Sequence, residues 1–158
     1  MKKIVCTLLL CLGSIMLCGC ANNGNYSKIK KLVEGNEIKF IAKDTENWTE
    51  EVKIVSYGAT GVMMTNRTVL DFYGTIIVQY LYIEWNKNDA YISFTYTQDG
   101  REQSYDYEKT SVLKQYIKEG KVSSIEGCFD PDKIEYVNKL LDYVDEYLKE
   151  NYGYGIAD

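Results

Sequence analysis

The chain has 158 residues, the size of one ordinary domain, with 18 basic and 23 acidic side chains and a net charge of −5. It carries no basic cluster, so no nucleic-acid partner is expected. It contains no histidine, which removes Ser-His-Asp and Cys-His catalysis and histidine-ligated zinc or copper.

The chain opens on the cationic Met1-Lys2-Lys3 and then runs almost wholly apolar through 13 residues, Ile4 to Met16. That is the length of a signal-peptide core and falls short of the roughly 20 apolar residues that span a bilayer. The run ends in Leu17-Cys18-Gly19-Cys20. This stretch resembles the lipobox of bacterial lipoproteins. Leu17 stands three before a cysteine, Gly19 supplies the small residue just before it, and Cys20 is the residue that would carry lipid. Cys18 departs from the more usual Ala, Ser or Thr but is still small.

The resemblance covers the first 20 residues and implies nothing about the rest. It implies a diacylglyceryl thioether on Cys20, cleavage between Gly19 and Cys20, and an extracytoplasmic protein anchored to a bacterial membrane by that lipid. Cysteine is needed there because a thiolate alkylates where a serine hydroxyl would not. A single acyl chain holds only marginally, whereas two or three hold stably. No aspartate follows Cys20, so nothing signals inner-membrane retention in a double-membraned cell.

On this reading residues 1–19 are a signal peptide, 20–26 a lipidated tether and 27–158 a single globular domain. Loss of the signal leaves 139 residues, with 16 basic against 23 acidic side chains, a net charge of −7. Cys6, Cys11 and Cys18 leave with it and Cys20 is lipidated. Only Cys128 remains, so no intramolecular disulfide is possible, and a small apolar packing role is expected for it. A domain this acidic is not drawn to anionic headgroups. Membrane contact is therefore expected through the lipid, on a flexible tether of about 12–15 Å.

A first helix is predicted over Ser27–Glu34, with Ser27 as cap and Gly35 as stop. Glu37–Lys43 reads as a half-buried strand, Asp44–Thr49 as a polar loop with Trp48 at its centre, and Val52–Tyr57 as a second strand. Gly58 and Gly61 bracket a turn, Val62–Thr65 is a short third strand, and Asn66-Arg67 is read as a further turn. Thr75–Trp85 is apolar on both faces and belongs in the centre of a sheet. The turn Asn86–Asp89, the alternating Tyr91–Thr97, the tight-turn pair Asp99-Gly100 and the alternating Gln103–Glu108 complete an antiparallel meander. A short helix capped at Thr110 or Ser111 ends at Gly120. A long one then starts with Asp130 as cap and Pro131 in the first turn, carries apolar residues at three and four, and stops at Gly153. The fold class is α+β: an antiparallel sheet of five or six strands packed against a long C-terminal helix, with short helices at the start and before the last helix.

Chemistry-bearing motifs are sparse. Ser27-Lys28-Ile29-Lys30 and Ser111-Val112-Leu113-Lys114 match the Ser-x-x-Lys pattern, but its companion motifs are missing and both read as helix starts. Asn86, Asn88 and Asp89 lack the spacing of a calcium loop. No cofactor or metal is expected. The odd fact is the count of fifteen tyrosines against four phenylalanines. Tyrosine offers a flat apolar body with a polar tip, suited to sugars, peptides or a partner surface. Tyr80 with Tyr82, Tyr105 with Tyr107, and Trp48 are the candidate contact residues. The expected function is a non-catalytic binding or interaction module with an envelope protein, peptide or glycan as partner. The alternatives are a small carboxylate-dependent hydrolase of cell-envelope glycan and a carrier of an apolar ligand held between sheet and long helix.

Overall fold

The computed structural model describes residues 23–157; the lipobox, its cleavage site and Cys20 lie outside them. Nine elements follow in order: helix α1 (Tyr26–Leu32), strands β1 (Glu37–Thr45), β2 (Trp48–Tyr57), β3 (Gly61–Phe72), β4 (Thr75–Asn86), β5 (Asp89–Gln98) and β6 (Arg101–Thr110), then helices α2 (Val112–Glu119) and α3 (Pro131–Tyr152). The six strands form one antiparallel sheet in the order β1-β2-β3-β4-β5-β6, a pure meander in which each strand pairs with its sequence neighbours. The fold is α+β, with the long last helix and the short helix before it where the sequence places them.

The strands alternate as a half-buried sheet requires. Val52, Ile54, Val62, Met64, Leu81, Ile83, Trp85, Ile92 and Phe94 point to one face and form its core. All three helices cover that face: Ile29 of α1 with Val33 just after it, Val112, Leu113 and Tyr116 of α2, and Val137, Leu140, Leu141, Val144 and Leu148 of α3 join the same cluster. Each such aliphatic side chain is worth about 1.5–3 kcal/mol in burial. The other face carries Met63, Thr65, Arg67, Tyr80, Tyr82 and Tyr91, and no described element covers it.

Helix α3 begins as its sequence dictates. The Asp130 carboxylate accepts from the Asp132 N–H at 3.0 Å, Pro131 occupies the first turn, and Gly153 ends the helix in the left-handed region. Tyr73-Gly74 and Asp99-Gly100 both have positive φ at each residue, +52° and +83° in the first pair and +50° and +73° in the second. These are the left-handed two-residue turns that match strand twist.

Four local expectations differ. Asn66-Arg67 is no turn: β3 runs straight through it, and Asn66 is buried opposite Leu81. Trp48 is not the centre of a loop but the first residue of β2, because the chain turns earlier, at Glu46-Asn47. Helix α1 starts one residue before Ser27, with Asn25 at the cap position and no side-chain capping bond. Ser111 stands at the α2 cap without capping; instead its Oγ donates to Glu126 at 2.5 Å.

The ends of the fold are tied together. Asn25 N–H donates to the Ile156 carbonyl at 2.9 Å, and its amide donates to the Gly155 carbonyl at 3.0 Å. Gly24 at φ +53° passes so close that a Cβ there would lie 2.2 Å from the Ile156 oxygen. Tyr26, assigned to the tether from sequence, packs edge-on against Trp85 at 5.0 Å. The ordered fold thus takes in the last residues of that tether.

Candidate functional site

Helix α3 crosses the sheet without covering all of it. Its head, at Pro131, lies over β5 and β6, and its C-terminal half reaches β1, where Tyr147 stacks on Phe40 at 4.1 Å. Beyond the head the helix-side face of β4, β5 and β6 is left open. A cleft of about 410 Å³ results, with Gln79, Phe94, Tyr96, Gln103 and Tyr105 as its floor and Asp130, Asp132, Lys133 and Tyr136 as its wall; Tyr80 and Thr95 complete the lining. A second hollow of about 420 Å³, lined by Tyr96, Gln98, Asp99, Arg101 and Gln103, shares Tyr96 and Gln103 with the first. Together they make one groove along the helix side of β6, from the head of α3 to the Asp99-Gly100 turn.

The register builds this floor. The two-residue turn at Asp99-Gly100 sets Gln98 opposite Arg101, Tyr96 opposite Gln103 and Phe94 opposite Tyr105. These pairs stack aromatic and amide side chains on one face. Phe94 meets the Tyr107 ring edge-on at 6.0 Å, and the Lys133 ammonium stands 4.3 Å over the Tyr105 ring. Lys133 also pairs with Asp130 at 2.7 Å, which holds that carboxyl below the usual carboxylate range. Tyr136 shares a 2.5 Å hydrogen bond with Thr68. Burial raises its pKa, so it stays a neutral phenol.

The five candidate contact residues are not brought to one place. Tyr105 forms part of the cleft floor and Tyr80 borders the cleft. Tyr107 lies on the same face but deeper; a hydrogen bond with Cys128, then burial, pushes it up to about 12. Tyr80 and Tyr82 stack at 5.8 Å on the opposite, uncovered face, where Arg67 Nε donates to the Tyr80 oxygen at 3.2 Å. Trp48 lies between two cations, Lys43 at 3.5 Å and Lys139 at 4.7 Å. Its π-face is already engaged. Sequence reading missed Gln79, Phe94, Tyr96, Gln103, Lys133 and Tyr136. The hairpin count from Asp99-Gly100 was the available signal for three of them, Phe94, Tyr96 and Gln103.

A second polar constellation sits under α3. Glu50 on β2 is fully buried; it takes the Asn66 amide at 3.1 Å and the Lys139 ammonium of α3. Burial and this carboxylate push Tyr143 up to about 12. The Asn66 Oδ1 is buried with no partner among the described residues.

Among the described residues no three His, Cys, Asp or Glu side chains converge as metal ligands, and no helix is long and apolar enough to cross a membrane. Cys128 is buried and unpaired. What the groove offers is recognition chemistry: aromatic faces, three side-chain amides, and one ion pair at a helix head. Comparison with known proteins finds no match for the chain in any family model, curated protein or solved structure.

Proposed function

We propose that this protein is a non-catalytic binding module, held outside the cytoplasm at a bacterial membrane by lipid on Cys20, and that its contact surface is the groove beyond the head of α3. The observation that carries the binding reading is the aromatic and amide floor that α3 leaves uncovered. The Leu17–Cys20 box carries the anchor. Position supports the pairing of the two. The tether enters beside Trp85 and Ile156, whereas Gln79 and Tyr96 lie six residues further along β4 and β5, about 20 Å away at strand rise. The groove then opens at the end away from the bilayer.

Both other readings fit less well. Hydrolysis of a glycan needs a carboxylic acid that holds its proton. Of the two carboxyls in the cleft, Asp130 is drawn to the ionised form by Lys133 and spent on capping α3. A carrier needs space beneath α3, and that interface is filled by Val137, Leu140, Leu141, Val144 and Leu148, all inaccessible to solvent.

Cys20→Ala is expected to abolish metabolic palmitate labelling and to move the protein out of the membrane fraction. Unchanged labelling and fractionation would refute the anchor. For the groove, the amide spectrum of the full-length protein in detergent micelles would be followed while chitotetraose or capped heptapeptides are added. One class should shift Gln103, Tyr105 and Lys133, and the exposed-site variant Tyr105→Ala should weaken binding at least about tenfold. Shifts confined to the Tyr80–Tyr82 face, or no shifts with either class, would sink the assignment.

A further inference from the structure

Strand β6 is a free edge of an unusual kind. Its side chains from Arg101 to Asp106 are all exposed, and among the described residues nothing pairs with its outer side. In an antiparallel hairpin, residues alternate between bonding inward to the partner and outward. The closing pair Gln98–Arg101 bonds inward, as do Tyr96–Gln103 and Phe94–Tyr105. The N–H and C=O groups of Glu102, Ser104 and Asp106 therefore point outward, with no strand to receive them.

The two edges of the sheet differ. Strand β1 is broken by a register shift between Ile41 and Lys43, and its outer charges are neutralised by the pairs Lys39–Glu51 at 2.9 Å and Lys53–Glu37 at 2.5 Å. Bulges and paired charges are how an edge is closed to other chains. Strand β6 keeps a regular register from Arg101 to Tyr107. Glu102, Asp106 and Glu108 share the uncovered face, and none forms an ion pair among the described residues. Gln103, Tyr105 and Tyr107 alternate with them on the groove side.

Resting on the groove as the contact surface, we propose that β6 takes up an extended polypeptide segment as a seventh strand, with basic side chains over Glu102, Asp106 and Glu108 and apolar side chains in the groove. Backbone pairing supplies affinity in such strand addition, and the alternating side chains supply selectivity. Charge decides the occupant. A second copy pairing β6 to β6 would set this acidic row against itself, which like charges across strands disfavour. A glycan would leave the outward backbone row unused.

The probe is a capped, dye-labelled heptapeptide with lysine at alternate positions and phenylalanine, threonine or valine between, against the same peptide with glutamate for lysine. Anisotropy with the full-length protein in neutral detergent should show the lysine peptide binding at least about tenfold tighter, with the gap narrowing as salt rises. Glu102→Lys with Glu108→Lys should reverse that order. Ser104→Pro removes an outward N–H without touching the β5 ladder, so it should weaken binding at least about tenfold while amide signals of β5 persist. Should Ser104→Pro fail to fold, the charge reversal decides alone. Equal binding of the two peptides, no reversal, or concentration-dependent self-association through β6 would each overturn the proposal. If chitotetraose shifts the groove amides and neither peptide binds, the strand proposal falls and the groove reading stands. If neither probe class moves them, both fall.

Discussion

Trp85→Ala is expected to cost about 3–5 kcal/mol, out of the roughly 5–15 kcal/mol that holds a domain of this kind folded. Trp85 is 1% exposed and is among the largest fully buried side chains of the protein. Its register partners are Val62 on β3 and the small Ala90 on β5, so the indole fills space that neither neighbour can take over. Its ring meets Tyr26 of α1 edge-on, at 5.0 Å and 64°. Truncation therefore leaves a cavity and also removes the surface against which α1 docks. Urea unfolding followed by circular dichroism should show a lower midpoint with an unchanged slope. Trp85→Phe, which keeps a ring against Tyr26, should lose less than half as much. A loss below about 1 kcal/mol for the alanine variant would mean that the site collapses around the deletion, against the close packing described.

What could be read from the sequence was whatever is encoded locally. Asp130 with Pro131 and Gly153 marks both ends of α3 within a few residues of chain, and Asp99-Gly100 marks its turn by itself. Asn66 shows the opposite case. As a polar pair, Asn66-Arg67 looks like a turn, and what makes Asn66 a strand residue is Glu50, 16 positions earlier, receiving its amide inside the core. Tyr73-Gly74 hides a turn for a related reason. Its left-handed first position usually goes to Asn or Asp, and here it holds a tyrosine that is 96% exposed. The groove was half legible. Tyr105 was singled out for its residue type and its partner Phe94 follows from the turn count, but Lys133 and Tyr136 arrive from α3 and depend on where the helix crosses the sheet. That crossing is a tertiary fact with no local signature.

Lys139→Met is expected to cost about 3–5 kcal/mol even though the lysine is partly at the surface, because it leaves a buried charge uncompensated. The asymmetry of the pair sets this result. Glu50 has a side-chain exposure of 0% and Lys139 of 31%, so the carboxylate cannot turn to water when its partner goes, whereas the ammonium can. Glu50→Gln should for that reason be milder. The new amide can still accept from the Asn66 Nδ2, now 3.1 Å from the carboxylate, and can donate to Asn66 Oδ1, which has no partner. An orphaned buried acceptor costs about 1–3 kcal/mol, so this gain offsets part of the lost ion pair. The double variant should then be more stable than Lys139→Met alone, with a coupling of about 1–3 kcal/mol in a double-mutant cycle run on urea midpoints. Additive single losses would show that Lys139 acts chiefly through its contacts over Trp48 and Tyr143. Strong coupling would give the pair a second consequence. Lys139 lies six residues beyond Lys133, under two turns along α3, so the bond that holds it on β2 also fixes how far the head of the helix reaches over the groove.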